Sequence, residues 1–262
     1  MSSPRVVATD LDGTLLRSDG SLSSRTRQAI VEAEAAGVPT LFVTARPPRW
    51  LDELADAVGG HGVAICGNGA FVYDLVKREV TASHGHDPEL MAQVVADLRQ
   101  AIPGVAFAVE RANGMGREDL YAYADEHSDG HTIGELADIA ATPVGKLLAR
   151  CPELDPDEFL ALVESVVGTR VELGYSGAIG LAEMTAPGVT KASGLTTWCD
   201  AQGIVADEVW ACGDMPNDLP MLRWAGRAHA VANAHPDVLG VADVVLASND
   251  DDGVAALLES LL

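Results

Sequence analysis

The feature that most constrains the fold is a pair of carboxylates placed directly after a short apolar run. Arg5-Val6-Val7-Ala8-Thr9 precedes Asp10-Leu11-Asp12-Gly13-Thr14-Leu15. Such a run predicts a central strand that is covered on both faces. Two carboxylates about 4 Å apart repel each other by about 4 kcal/mol at an effective dielectric near 20, so the fold must supply a cation or keep one carboxyl protonated. An ordinary Asp-rich turn has the same composition, but the position after a strand favours a metal site or a proton-transfer pair.

Apolar strands and amphipathic helices alternate after this turn. The predicted elements are a helix from Ser23-Ser24 to Gly37, a strand at residues 38–43, a helix from Pro47-Pro48 through Val58, a strand at residues 62–66, and a hairpin at residues 71–73 and 79–81. This β-α-β-α-β order predicts an α/β fold with a doubly wound, mainly parallel sheet.

The pattern changes near Ser83 and returns to β-α alternation at Pro187. Between them we predict helices from Asp87 and at residues 157–167, and strands at residues 105–109, 120–124, 144–149, 169–173 and 179–183, with no clear pattern at 126–143. Strands paired across helices indicate a separate α+β unit. We therefore predict a core made of residues 1–83 and 187–262, and an inserted cap made of residues 84–186.

The predicted core resumes with a helix that follows Pro187-Gly188-Val189-Thr190-Lys191. The further predicted elements are strands at residues 208–212, 228–232 and 243–246, a helix from Met215-Pro216-Asn217-Asp218, and a last helix at residues 253–262. No internal repeat and no low-complexity linker interrupts this order.

Composition excludes several classes of function. The 17 basic and 39 acidic residues give a net charge of −22, which argues against a nucleic-acid or anionic-membrane surface. No apolar run reaches the roughly 18 residues of a membrane-spanning helix, and residues 1–5 lack the features of a secretory signal, so we expect a cytoplasmic protein. The 4 cysteines are scattered and indicate neither a zinc site nor a disulfide framework. They are Cys66, Cys151, Cys199 and Cys212.

Polar residues follow several of the predicted strands. Asp10, Thr44 and Asp214 each stand at the carboxyl end of a predicted strand, and Lys191 opens a predicted helix. In open α/β sheets ligands bind at the carboxyl edge, so these side chains are expected to converge on one crevice. Each residue taken alone has an ordinary structural explanation as a strand end, a surface lysine or a helix cap. Their order along the chain is therefore the stronger signal.

This series of motifs resembles that of the haloacid dehalogenase-like hydrolases, a superfamily made up mainly of magnesium-dependent phosphatases. The segments Asn68-Gly69-Ala70 and Gly213-Asp214-Met215-Pro216-Asn217-Asp218, together with the position of the insert, resemble its Cof-type branch. The resemblance spans the whole chain. Met215 departs from the smaller or polar residue that is more usual there, and the neighbouring carboxylates are retained.

The resemblance implies a role for each motif. Asp10 would be the nucleophile and Asp12 the general acid and base, while Thr44 and Lys191 would complete the catalytic set. Substrate-binding positions would be Gly13, Ala45, Arg46 and Asn68. Mg²⁺ would be held by Asp10, the Asp12 carbonyl, Asp214 and Asp218, with Asn217 as a further candidate. Asp218 would bind the metal directly or orient Lys191.

The function predicted from these motifs is hydrolysis of a small phosphorylated metabolite, a sugar phosphate or similar, through an aspartyl phosphate. A phosphosugar mutase and a phospho-accepting receiver-type switch remain as alternatives. A dinucleotide-binding oxidoreductase is disfavoured because Gly67-Asn68-Gly69 lacks the third glycine of that fingerprint. The sequence indicates neither the leaving group nor the oligomeric state. Further candidate contacts are His84, His86, His127 and His131.

Overall fold

The computed structural model describes residues 3–57, 62–121 and 131–262. In chain order its strands are β1 (Val6–Thr9), β2 (Thr40–Val43), β3 (Val63–Cys66), β4 (Phe71–Asp74), β5 (Glu79–Ser83), β6 (Ala106–Arg111), β7 (Gly114–Arg117), β8 (Thr132–Ile133), β9 (Val144–Arg150), β10 (Glu172–Gly174), β11 (Ala182–Thr185), β12 (Val209–Gly213), β13 (Arg227–Val231) and β14 (Val244–Leu246). The α-helices are α1 (Ser24–Ala35), α2 (Pro88–Ala101), α3 (Leu136–Ile139), α4 (Pro156–Val167), α5 (Lys191–Gln202), α6 (Leu219–Trp224), α7 (Pro236–Leu239) and α8 (Gly253–Glu259). None of these described helices is long and apolar enough to cross a lipid bilayer.

The first sheet has eight strands in the order β14-β13-β12-β1-β2-β3-β4-β5. The strands from β14 to β3 run parallel, and β4 and β5 each pair antiparallel with the preceding strand. Strand β1 lies inside the sheet, and all of its residues are buried, as its continuous apolar run predicts. The predicted α/β class with a mainly parallel sheet is confirmed.

The second sheet has six strands in the order β10-β11-β9-β6-β7-β8, with only β7 and β8 paired in parallel among the described pairs. Helices α2 and α4 pack together. Their apolar sides share a buried cluster with residues of the sheet such as Phe107 and Leu147. The strands of this sheet lie between residues 106 and 185, inside the predicted insert.

Three predicted helix starts are fixed by side-chain caps. Ser23 accepts a hydrogen bond from the N–H of Thr26, and Asp87 accepts one from the N–H of Leu90. Thr190 accepts one from the N–H of Ser193, so α5 begins at Lys191. Such a cap satisfies one of the free N–H groups in the first turn, and the last of these caps sets the position of Lys191.

Several predicted elements differ in the structure. The strand predicted at residues 169–173 begins only at Glu172, after a 3₁₀ helix at Gly168–Arg170, and the strand predicted at residues 179–183 is found at Ala182–Thr185. The segment after Pro47 forms two short 3₁₀ helices, Pro48–Trp50 and Asp52–Ala57, in place of one α-helix, and Val58 lies outside the described residues. The strand predicted at residues 120–124 is wrong where it is described, because Leu120 and Tyr121 are not in a strand and residues 122–124 lie outside the described ranges. The strand that pairs with β6 there is β7, which was missed because glycine occupies two of its four positions and has low strand propensity.

Candidate active site

Three neighbouring strands bring the predicted site residues to one edge of the first sheet. Asp10 follows β1, Thr44 follows β2 and Asp214 follows β12, and β12, β1 and β2 are adjacent. Because these strands are parallel, their carboxyl ends meet at the same edge. Side chains that are far apart in the sequence therefore converge there.

Lys191 joins two of the carboxylates. Its Nζ donates to Asp10 Oδ1 at 2.7 Å and to Asp218 Oδ1 at 2.6 Å, and the residue is 1% exposed. Burial by itself lowers the pKa of Lys191, but the charges of Asp10 and Asp218 outweigh burial and raise this pKa above its ordinary value. Lys191 is therefore a fixed cation at neutral pH.

Both carboxylate oxygens of Asp218 are occupied. Its Oδ1 accepts from Lys191, and its Oδ2 accepts from the backbone N–H groups of Asp214 and Met215, each at 3.0 Å. Asp218 is completely buried. Its geometry fits a residue that orients Lys191.

Asp10, Asp214 and Asp218 form an acidic cluster in which one oxygen of each lies within 4.8 Å of the others. Burial raises the pKa of Asp10 well above its ordinary value, although Lys191 opposes this shift. Burial likewise raises the pKa of Asp214 to about 6, and the hydroxyl of Thr14, which donates to Asp214 Oδ1 at 2.7 Å, opposes it. One lysine does not balance three carboxylates, so these groups favour a bound cation or a proton.

The turn that follows the two carboxylates of the motif depends on Gly13. This residue has φ = +75°, and a Cβ at its position would overlap Asp214 Oδ2. Its carbonyl accepts a hydrogen bond from Asn233 Nδ2 at 2.7 Å. Glycine is therefore required both for the backbone conformation and for the close approach to the acidic cluster.

Replacing Gly13 with alanine is expected to displace Asp214 and to weaken divalent-metal binding at least about tenfold, a loss of roughly 1.4 kcal/mol. Gly20→Ala is the matched control because Gly20 has φ = +79° but no atom within 4 Å of the added Cβ. Both variants carry the same backbone penalty. Isothermal titration with Mg²⁺ compares the metal affinities of the two variants. Equal affinities would show that the close approach of Gly13 to Asp214 is not needed for metal binding.

Asp12 lies apart from the acidic cluster. Arg46 holds its carboxylate with two hydrogen bonds, Nε to Oδ2 at 2.8 Å and Nη2 to Oδ1 at 2.6 Å. The Asp12 side chain is 55% exposed, in contrast to the buried Asp10. A carboxylate that reaches a cavity from beside the buried cluster is suited to proton transfer.

A cavity of about 710 Å³ lies between the two sheets. The first sheet contributes Asp10, Asp12, Thr44, Ala45 and Arg46 to its wall, and the second sheet contributes charged residues from β6, β9 and β11. Cavities of this size bury drug-sized ligands. Asp10 and Asp12 therefore line a substrate-sized space.

The model of the haloacid dehalogenase-like hydrolase family matches residues 7–258. The chain belongs to this family. The resemblance found in the motifs is thereby confirmed. At the described site, residues of four motifs lie together: Asp10, Thr44 and Asp214 at strand ends, and Lys191 at the start of α5.

Several curated relatives of the chain are phosphatases. A phosphoglycolate phosphatase of Methanopyrus kandleri is 27% identical over 98% of this chain and 97% of its own length. A pyridoxal phosphate phosphatase of Escherichia coli is 28% identical over 98% of each chain. A solved haloacid dehalogenase-like hydrolase from Bacteroides thetaiotaomicron has the same fold, with a TM-score of 0.78 at 24% identity over 99% of this chain and 100% of that one. The prediction of a phosphatase of this family is confirmed, and these relatives do not favour the mutase or the receiver-type switch.

Asn68 and Asn217 contact each other beside a second, smaller cavity. Asn68 has φ = +59° and lines a second cavity of about 150 Å³, which Lys191 also lines. Asn217 Nδ2 donates to Asn68 Oδ1 at 3.1 Å, and Asn217 lines both cavities. The structure thus places Asn68 behind the main cavity, whereas Asn217 lies between the two.

The histidines lie away from the main cavity where they are described. Of His84, His86 and His131, none lines either cavity, and His127 falls outside the described residues. The buried His86 ring makes a hydrogen bond through Nε2 to the carbonyl of Met184 at 2.9 Å. That contact gives His86 a structural role beside β11.

Sequence reasoning missed two features of the site. Thr14 orients Asp214 through its hydroxyl, and its position directly after the Asp-x-Asp-Gly turn was the available signal. Lys146 and Glu183 form a buried ion pair with Nζ to Oε1 at 2.5 Å, and Lys146 also donates to the Ala45 carbonyl at 2.9 Å. The lysine inside an otherwise apolar strand was a signal for this pair, but its partner depends on strand register.

Proposed function

We propose that this phosphatase hydrolyses a small phosphorylated metabolite, a sugar phosphate or similar, with Mg²⁺ and through a phosphoryl group carried on Asp10. One observation carries the proposal. The buried Asp10 carboxylate is held by Lys191 and lies beside Asp214 at the end of the large cavity. An oriented carboxylate next to a fixed cation is arranged for attack on an anionic phosphoryl group.

The residues would act in two steps. Before the first step the bound substrate takes the place of Asp12 on Arg46, and Asp12 takes up a proton. In the first step Asp10 forms a bond to phosphorus, the bond from phosphorus to the leaving oxygen breaks, and Asp12 gives that proton to the leaving oxygen. In the second, Asp12 takes a proton from water, which attacks phosphorus and breaks the bond to Asp10. Inorganic phosphate leaves, and both aspartates return to their starting states.

The remaining residues would hold the phosphoryl group. Lys191 offsets the charge that the nucleophile and the phosphoryl oxygens share. Thr44 is fully buried at the end of β2, and its side chain accepts a hydrogen bond from the N–H of Arg46 at 3.1 Å, which fixes this loop. Ala45, Arg46 and Gly13 then serve as the backbone and side-chain contacts of the substrate. Asn68 supports the loop from the side of the smaller cavity.

The donor set fits Mg²⁺, a hard ion that prefers carboxylate oxygens. Asp10 and Asp214 are the proposed direct carboxylate ligands, together with the Asp12 carbonyl. We assign to Asp218 the role of orienting Lys191, because both of its carboxylate oxygens already accept hydrogen bonds. Asn217, its neighbour in the sequence, is a further candidate metal ligand. When bound, Mg²⁺ neutralises charge on the phosphoryl oxygens.

Residues 84–186 are proposed to act as the cap that selects the leaving group. Cap residues reach the cavity opposite the catalytic aspartates, and closure of such a unit excludes water from the reacting groups. The residues that perform the chemistry lie outside this segment. Substrate selection and chemistry are therefore separated along the chain.

A screen of phosphorylated metabolites, run with and without Mg²⁺, tests this function. We expect release of inorganic phosphate from a subset of small phosphomonoesters, and only when the metal is present. Absence of hydrolysis across the whole screen, including small activated phosphates, would contradict the proposal.

A further inference from the structure

Alternate residues of β9 form one wall of the large cavity. Lys146, Leu148 and Arg150 all line it, as expected for a strand whose side chains alternate between faces. Lys146 contacts the carbonyl of Ala45, next to Thr44, so this end of β9 lies closest to the catalytic loop. At a rise of about 3.4 Å per residue, Arg150 stands roughly 14 Å further along. The wall therefore changes from polar to apolar and back to polar with distance from the site of phosphoryl transfer.

The near end of this wall carries an unmet acceptor. Glu183 gives its Oε1 to Lys146, whereas its Oε2 is buried with no hydrogen-bond partner among residues 3–57, 62–121 and 131–262. The Glu183 side chain is only 6% exposed and lines the cavity. A buried carboxylate oxygen normally has a donor. A hydroxyl group of the leaving group would supply that donor.

The middle of the wall is apolar. Leu148, Ala108, Met115 and Tyr121 form a buried cluster against which Leu181 packs. Leu148, Leu181 and Tyr121 face the cavity, and Trp50 contributes an aromatic side chain to its lining. Contact of these apolar side chains with water or with a polar ligand group adds no favourable free energy. Burial of the same side chains under the flat face of an aromatic ring does.

The far end carries an unmet donor. Arg150 donates through Nη1 to the carbonyl of Ile179 at 3.0 Å, but its buried Nε has no hydrogen-bond partner in the described part of the chain. An acceptor on the ligand, such as a ring carbonyl or ring nitrogen, would satisfy this N–H. On one side of the apolar surface Glu183 therefore needs a hydrogen-bond donor, and on the other side Arg150 needs an acceptor.

We propose that this wall is a subsite for an elongated leaving group, in which a hydroxylated chain or ribose next to the phosphoryl group leads to a heteroaromatic ring. The hydroxyls bind Glu183, the ring packs on Leu148 and Leu181, and a ring acceptor binds Arg150. This inference rests on the proposed function and adds the substrate class. A leaving group the size of a two-carbon acid spans too little of the roughly 14 Å wall to reach the ring subsite.

Two matched pairs of probes isolate the ring. Uridine 5′-phosphate is compared with ribose 5-phosphate, and riboflavin 5′-phosphate with ribitol 5-phosphate, by kcat/KM in the presence of Mg²⁺. We expect the ring-bearing member of at least one pair to be preferred at least about tenfold, the lower end of the discrimination that apolar contacts provide. Equal or lower kcat/KM for the ring-bearing member in both pairs would overturn the proposal.

Leu181→Ser tests the position of the ring. Because Leu181 is partly exposed, the substitution leaves the buried core intact. It is expected to reduce the ratio of the two kcat/KM values in the preferred pair by about 10-fold or more, and this ratio does not depend on the amount of folded enzyme. The control is Leu162→Ser, which changes a partly buried leucine on α4 in another cluster of the same region. An unchanged ratio in Leu181→Ser would overturn the assignment.

Acetyl phosphate, whose leaving group has neither hydroxyls nor a ring, separates the two proposals. Hydrolysis of acetyl phosphate without a preference for ring-bearing probes overturns the subsite and leaves the proposed function standing. Failure to hydrolyse acetyl phosphate and all four probes overturns both.

Discussion

Asp10→Asn is expected to lower turnover on the order of 10⁴-fold or more, because an amide does not form the acyl phosphate on which both steps depend. The amide oxygen has the shape of the carboxylate and still accepts a hydrogen bond from Lys191. Burial already disfavours the charged form of Asp10, since it raises the pKa of that group. The variant should therefore fold at least as well as the natural protein. Turnover is measured by the release of inorganic phosphate, and folding stability is measured separately by unfolding in urea.

The control for this experiment is Asp157→Asn, which makes the same chemical change at an exposed position of α4. It should keep the turnover of the natural protein. If Asp10→Asn also kept near-normal turnover with its preferred substrate, Asp10 would not be the nucleophile.

Removal of divalent metal is expected to reduce turnover at least about 10²-fold, since a metal ion supplies several kcal/mol of charge stabilisation in the transition state. Asp10, Asp214 and Asp218 cluster with one lysine to balance them. Chelation should leave this cluster to take up protons, and addition of Mg²⁺ should restore activity. Full activity in a chelated sample verified to be free of metal would contradict the proposed use of Mg²⁺.

Two substitutions refine the metal prediction. Asp214→Asn should raise the Mg²⁺ concentration needed for half-maximal activity, because Asp214 is proposed as a direct ligand. Asp218→Asn should lower kcat more than it changes that concentration, because both oxygens of Asp218 hold Lys191 and the backbone. If the two variants changed kcat and the required Mg²⁺ concentration to the same extent, Asp214 would not be distinguished as a metal ligand from Asp218 as the residue that orients Lys191.

The central part of the fold was predictable from local pattern. β1, β2 and β12 are short apolar runs, and each ends at a polar residue that the structure brings to the same edge. Strand direction alone forces this convergence once the sheet is parallel. Lys191 was placed correctly for a similar reason, since the Thr190 cap fixes the start of its helix.

The parts that were not predicted depend on contacts between distant residues. β7 has too little apolar and β-branched character to be recognised locally, and its pairing with β6 defines it. The Lys146 and Glu183 pair requires the register of β9 against β11, in which Leu148 faces Glu183. The bond between Asp12 and Arg46 likewise joins two loops. Sequence periodicity carries no information about such side-chain partners.

Transfer of labelled phosphoryl from acetyl [³²P]phosphate, stopped with acid during turnover, tests the central claim most directly. We expect label on the peptide that contains Asp10, loss of that label in Asp10→Asn, and its release by hydroxylamine, as an acyl phosphate requires. Label on another residue, or turnover with no labelled protein at any time after mixing, would contradict it.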